Sequence, residues 1–362
     1  MYIIILKYQK NKRKKFVILF FFLILHCQCK RTAKMDLSVI IPVFNVEKYI
    51  QVCMESIFRQ GLDDDSFEVI IVNDGTQDNS MEVIDDIIDQ HKNITVINQN
   101  NQGLSVARNN GIAIAKGEYI LMPDSDDLLV DNSLRSLLEK ALETKADLVI
   151  SDFITLNDEV VNDLNKETLR QPPFQCIKGT GQSLFLDFLN PHECYVWRTL
   201  YRRAFLTKHK ISFISGIKYQ DIPFTHECYL KANSFIKTNI ILNIYRRRSG
   251  SSTQNYTSDN SRNFIIAMAK TWELRQIKGL SPDIIYKLEE NVYISFRSML
   301  YSTLHCIKQK AERNKIMDYL NANASKLKFT HGIRQRLITI LFKRTPHLFI
   351  NLYYQFAQIA YK

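Results

Sequence analysis

The chain lacks any C-x-x-C pair or Cys/His cluster: Cys27, Cys29, Cys53, Cys176, Cys194, Cys228 and Cys306 lie scattered along its 362 residues. Neither a disulfide framework nor a structural zinc site is therefore suggested, and a reducing compartment fits best. Neither G-x-G-x-x-G nor G-x-x-x-x-G-K-[ST] occurs, which disfavours a dinucleotide-dependent oxidoreductase and a P-loop kinase. The apolar block Phe16 to Cys27 is too short to cross a bilayer comfortably and is closer to the core of a signal peptide. His26-Cys27-Gln28-Cys29 nevertheless offers neither a small-residue cleavage site nor a lipobox.

What is present is a core-forming composition, 46% hydrophobic, with a formal net charge of +11. The charge is unevenly placed. Residues 1–34 carry nine Lys/Arg and no acid, and residues 303–362 carry eleven Lys/Arg against Glu312 and Asp318. Each end is thus +9, which leaves −7 on residues 35–302 once both are taken from +11. A basic shell for nucleic acid is not expected on such a middle. Met35 directly precedes the first strand-like run, so residues 1–34 read as an upstream over-extension of the reading frame, with a short membrane anchor as the other reading.

From Leu37 the pattern alternates strand and helix. Strands are expected at Leu37–Val43, Phe67–Val72, Ile94–Asn98, Tyr119–Met122 and Ala146–Phe153. Helices are expected at Glu47–Arg59, Ser80–Gln90, Leu104–Ala115 and Asn132–Thr144. The result is an α/β fold with one mostly parallel sheet covered by helices on both faces. Thr155 to Thr180, with Pro172-Pro173, reads as an excursion or seam, and residues 260–320 read as helical, with Ser281-Pro282 marking a helix start.

In such a sheet ligands bind beyond the carboxyl ends of the strands. Those ends carry Pro42-Val43-Phe44-Asn45, Asn73-Asp74-Gly75-Thr76-Gln77-Asp78 and Pro123-Asp124-Ser125-Asp126-Asp127. Taken alone, Asp74-Gly75 is an ordinary turn and Asp78-Asn79-Ser80 an ordinary helix cap. Three carboxylates in four residues exceed what one cap needs, and D-x-D spacing lets two of them address a hard divalent ion and its phosphates. Arg108, about one turn into a helix, is either a surface residue or a cation in reach of a diphosphate.

Four segments in order, Ser38–Asn45, Val69–Asp78, Asn101–Asn109 and Gly117–Asp127, closely resemble the family 2 glycosyltransferases with the GT-A fold. The resemblance is dense from Leu37 to about Phe153 and weaker to about Ser252. It implies a nucleotide-sugar-binding half at 35–155, an acceptor-side half at 156–255 and a helical C-terminal region at 256–362. Pro42, Val43, Phe44, Asn45 and Asp74 would form the pocket for base and ribose, with Asp124 near the ribose. Asp126 would be the ligand of Mg2+ or Mn2+, and Arg108 would help on the phosphate side. Asp221, in Tyr219-Gln220-Asp221-Ile222-Pro223, resembles the catalytic base, although Gln220 replaces the commoner Glu; a helix cap is its other reading. Trp197 resembles the tryptophan that lines the acceptor side, or is core. Tyr245–Ser252 resembles the loop that folds over the diphosphate, without showing which of Arg246, Arg247 and Arg248 acts there.

The implied activity is inverting transfer from a nucleotide-diphosphate donor, such as a UDP-sugar, to a glycan or lipid-linked acceptor in bacterial surface polysaccharide synthesis. A sugar-phosphate nucleotidyltransferase would want a glycine-rich basic loop after the first strand, which Pro42–Asn45 is not. A non-catalytic membrane scaffold would leave the carboxylates without purpose. From Ile333 onward, Arg334, Arg336, Lys343 and Arg344 border apolar residues, with Pro346 dividing the stretch. This suits an interfacial helix on the anionic inner face of the cell membrane, or else a basic-faced helix packed on protein.

Overall fold

The computed structural model describes residues 35–162, 169–248 and 256–360. Residues 1–34 and Ser249–Ser252, on which expectations were placed above, lie outside them. The run LSVIIPV is wholly buried as strand β1 (Leu37–Val43), as a strand covered on both faces must be. It pairs in parallel with β2 (Phe67–Asn73) from Leu37 opposite Phe67 to Val43 opposite Asn73. β3 (Ile94–Asn98) and β4 (Tyr119–Leu121) extend this parallel half on either side.

Beyond β4 the sheet becomes mixed. Its order is β3-β2-β1-β4-β8-β6-β9-β5, with β7 also on β9. β8 (Thr199–Arg202) inserts antiparallel between β4 and β6 (Leu148–Asn157). β9 (Phe235–Arg247) runs parallel to β6, while β5 (Leu128–Leu129) and β7 (Cys176–Gly179) pair with it antiparallel. The parallel expectation thus describes the half whose strands alternate regularly with helices. In the other half β6 still belongs to that alternation, whereas β7, β8 and β9 come from chain segments after the rhythm has stopped.

Two cores lie on opposite faces. One takes Leu37, Val39, Ile41 and Val43 of β1 with α1 (Ile50–Phe58) and α4 (Ser133–Thr144). The other takes Ile40, with α3 (Leu104–Ile114), α6 (Gly181–Phe188) and α8 (Asp221–Lys231). The segment expected to be one helix from Ser80 is a 3-10 turn at Glu82–Ile84 followed by α2 (Asp85–Gln90), in which no residue is buried. α5 (Asp158–Asn162) and α7 (Arg203–His209) are short.

A third core belongs to the C-terminal helices α9 (Ser258–Glu273), α10 (Pro282–Cys306), α11 (Lys310–Asn323), α12 (Gly332–Arg344) and α13 (Pro346–Ala360). α10 starts where the sequence indicates: Ser281 accepts a hydrogen bond from the Ile284 N–H and Pro282 fills the first turn. Ile284 and Leu288 of α10 join the core of α6 and α8, so this helix is shared by both regions.

Candidate active site

The loops after β1 and β2 are joined by side-chain hydrogen bonds. Asn45, at φ 53, accepts from the Gln77 N–H at 3.1 Å, and its own N–H donates to Thr76 Oγ1 at 2.8 Å. Asp78 accepts from the Glu47 N–H at 3.0 Å, from Thr76 Oγ1 at 2.7 Å and from the Ser80 N–H at 3.1 Å. Burial alone would raise its pKa, but these bonds and that of Ser80 Oγ outweigh burial and hold it at about 2. The side chains of Pro42 and Val43 are buried in the sheet, so only Phe44, 41% exposed, and Asn45 present side chains on this rim.

Asp74 is 3% exposed and braces the next loop. Its Oδ1 accepts from Gln99 Nε2 at 2.7 Å and the Gln102 N–H at 2.8 Å, and its Oδ2 from the Gly103 N–H at 2.9 Å. Gly75 adopts φ +68, and a Cβ there would lie 3.0 Å from the Asn101 nitrogen, so the turn excludes larger residues. The turn reading is therefore correct in itself, and the same carboxylate fixes the start of α3.

α3 carries Arg108 inward. It is 2% exposed, which removes the surface-residue reading. Its guanidinium lies 5.4 Å from the Phe213 ring centroid and donates through Nη2 to Asp124 Oδ1 at 2.5 Å. Burial pushes the Asp124 carboxyl up, against the opposing pull of Arg108. Asp126 Oδ2 accepts from Arg248 Nε at 2.9 Å, and the Asp126 carbonyl from Arg246 Nε at 3.1 Å. Asp127 is buried and accepts the Arg246 N–H at 2.9 Å through Oδ1, while its Oδ2 has no hydrogen-bond partner among the described residues. Burial, then the charges of Asp124 and Asp126, push its carboxyl well above the ordinary range.

Asp221 is the first residue of α8 and keeps partial solvent access. Burial raises its pKa to about 6; Arg108 lowers it and Asp124 raises it, so all three groups share one electrostatic neighbourhood. The preceding turn holds Tyr219 at φ 60, stacked at a tilt on Phe264 with a centroid distance of 4.5 Å.

Trp197 is 3% exposed, its ring near-parallel to those of Tyr195 at 5.0 Å and Tyr245 at 5.9 Å. Phe153 meets the Trp197 ring edge-on at 5.0 Å. Tryptophan is the buried member of this cluster, and what the cluster shows to solvent comes from its partly exposed neighbours Phe153, Tyr195 and Tyr245.

Sequence reasoning left the arginines of 246–248 undivided. Arg246 is buried and holds the backbone of the D-x-D turn, Arg247 is exposed, and Arg248 reaches the Asp126 carboxylate. Tyr49 lies under both Arg246 and Arg248, at 5.1 and 4.9 Å from ring centroid to guanidinium carbon. Tyr49 had no signal beyond an unremarked place in a helical pattern.

The sequence pattern described as glycosyl transferase family 2 matches residues 38–209. The chain is 34% identical over 223 residues to the uncharacterized glycosyltransferase EpsJ of Bacillus subtilis, covering 60% of this chain and 62% of that protein. It is 30% identical over 225 residues to the glycosyltransferase GlyG of Streptococcus pneumoniae, covering 59% of this chain and 72% of that protein. The chain belongs to glycosyl transferase family 2. Among solved structures, S. aureus TarS 1–349 in complex with UDP superposes over 90% of this chain and 92% of that one, with a TM-score of 0.65 at 17% identity. The GT-A-like fold with a helical C-terminal region is common to both.

Proposed function

We propose that the protein transfers a sugar from a nucleotide-diphosphate donor, a UDP-sugar, to an acceptor hydroxyl with inversion, in the synthesis of a bacterial surface polysaccharide. The observation that carries this reading is the shared rim of Asp124, Asp126 and Asp221 with Arg108 and Arg248. UDP bound to TarS supports the nucleotide, and membership of the family supports the reaction class.

Phe44 and Asn45 would border the base and ribose, with Asp74 acting through the loop it braces and Asp124 facing the ribose. Among the described residues no three His, Cys, Asp or Glu side chains converge as a metal-binding set. The donor set still fits Mg2+ or Mn2+ held by Asp126, because such ions are commonly bound through one or two carboxylates plus substrate phosphates and water. When bound, the ion would neutralise charge on the diphosphate as it leaves. Asp221, unprotonated above about pH 6, would take the proton from the acceptor hydroxyl as it attacks the anomeric carbon. One displacement inverts that centre. Phe153, Tyr195 and Tyr245 would offer ring faces to an acceptor glycan, with Trp197 supporting them. A lipid-linked acceptor would place the enzyme peripherally on the inner face of the cell membrane.

Calorimetric titration with UDP in Mn2+ tests the donor half. Asp126→Ala should lose the metal-dependent part of UDP affinity while retaining its melting temperature, because the side chain stands at the rim and fills no core. Equal UDP affinity in wild type and variant would sink the assignment.

A further inference from the structure

α12 is inverted relative to an ordinary surface helix. Its buried residues include Gln335 and Thr339 beside Phe342, whereas Ile333, Leu337, Ile340 and Leu341 are 79, 53, 49 and 43% exposed. At 100° per residue these four occupy one continuous stripe with Arg336 and Arg344, opposite the buried face. Arg334 and Lys343 flank it on either side, also exposed. After Pro346, α13 adds Leu348 and Leu352, 56 and 44% exposed and one turn apart.

The orientation is fixed by the buried polar side. Gln335 Nε2 donates to Glu290 Oε1 of α10 at 2.6 Å, and its Oε1 accepts the His331 N–H at 3.2 Å. Thr339 Oγ1 accepts the Phe329 N–H at 3.0 Å and donates to the Phe329 carbonyl at 3.1 Å. Turning the helix to hide its apolar stripe would break the bond to Glu290 and both bonds to Phe329 and leave buried polar groups unpaired. The exposed stripe is thus built into the fold and not relieved by it.

We infer that this face docks on an anionic lipid bilayer, with the leucines and isoleucines entering the headgroup boundary and Arg334, Arg336, Lys343 and Arg344 meeting lipid phosphates. The charge selects this occupant. The stripe is bordered by Arg334, Arg336, Lys343 and Arg344, and no acidic residue follows Asp318 in the sequence, so a second copy of the same face would bring like charges together, whereas an anionic leaflet complements them. The inference gives the membrane-presented acceptor of the proposed function a physical surface, but the donor chemistry does not depend on it.

Deleting α12 and α13 would be a poor test, since Phe342, Phe349 and Ile350 belong to the third core. Substitutions on the outer face serve better. The full chain should float with vesicles of phosphatidylcholine and phosphatidylglycerol at 70:30, and weakly or not at all with phosphatidylcholine alone. Leu337→Glu/Ile340→Glu and, separately, Arg336→Glu/Arg344→Glu should each lower partitioning on the order of 10- to 100-fold. Both should keep the wild-type melting temperature and UDP affinity, so loss of docking is read apart from loss of the catalytic reading. Binding to anionic vesicles that neither pair changes, or no such binding by the wild type, overturns the inference. So does a wild-type dimer that Leu337→Glu/Ile340→Glu converts to monomer, which would make the occupant a second copy.

Discussion

Asp124 and Asp221 depend on one cation. Arg108 is buried, pairs directly with Asp124 and lowers the proton affinity of Asp221 from a distance. A base poised at about 6 is half ionised at that pH, and only the ionised half can accept a proton from the acceptor. The rate of transfer under kcat/KM conditions should therefore fall about tenfold per pH unit below the pKa and level off above it. Asp221→Asn should remove that limb, slow transfer by about 10²- to 10⁴-fold and leave UDP affinity near wild type. A profile unchanged in shape by Asp221→Asn would assign the base elsewhere. At this scale the sequence disclosed the identities and withheld the partners. Asp124, Asp126 and Asp221 were visible as types at spacings. The pairing of Arg248 with Asp126 spans 122 residues, and no local pattern encodes a contact that the sheet alone brings about.

The elements that were legible are those whose burial is written as a continuous run or a helical period. β1 and β2 fall where their buried apolar runs do, β3 keeps its expected bounds although none of its residues is buried, and α3 ends within one residue of its expected end. β5 was missed because two residues carry no periodicity, and its strand character comes from pairing Leu128 and Leu129 with Ile244 and Asn243 of β9. In α12 the apolar stripe with its basic border was legible, and both an outward and a protein-packed orientation were open; Gln335 and Thr339, tied inward, turn the stripe outward. α3 itself supplies a test of how an element positions the site. At Gly111 a Cβ would stand 2.3 Å from Ile40 Cγ2, so the helix lies closer to β1 than any side chain permits. Gly111→Leu should cost about 1 to 3 kcal/mol as the helix is forced outward, and should weaken UDP binding because Arg108, one turn earlier on the same helix, moves with it. A variant with lowered melting temperature and unchanged UDP affinity would show that α3 does not set the donor site.

Across the whole molecule, the helix that presents Asp221 is fastened to the C-terminal helices through one buried histidine. His226 of α8 donates from Nδ1 to the Ile222 carbonyl at 2.8 Å, which leaves Nε2 to accept from Asn291 Nδ2 of α10 at 3.3 Å. Around it stand the Phe185 ring at 5.7 Å and Cys194, whose Sγ is 3.8 Å from Nδ1. Burial lowers the histidine pKa to about 4, although the bond to Ile222 favours the protonated ring. The sign follows from linkage. The unfolded chain takes up this proton near pH 6.5 and the folded chain only near 4, so stability falls as pH drops between these values, by roughly 3 kcal/mol at the lower end. Asp221 works the other way: its raised pKa favours the folded state as pH falls from about 6 toward 3.8, which partly hides the histidine in a single melting curve. Comparing wild type with His226→Gln at each pH cancels the carboxylates and isolates the ring. The variant should be the less stable protein at pH 7, where it loses the native bonding pattern, and the gap should close or reverse by pH 4. Parallel stability curves for the two proteins across that range would mean that His226 protonates without strain, and that the joint between α8 and α10 does not depend on a neutral imidazole.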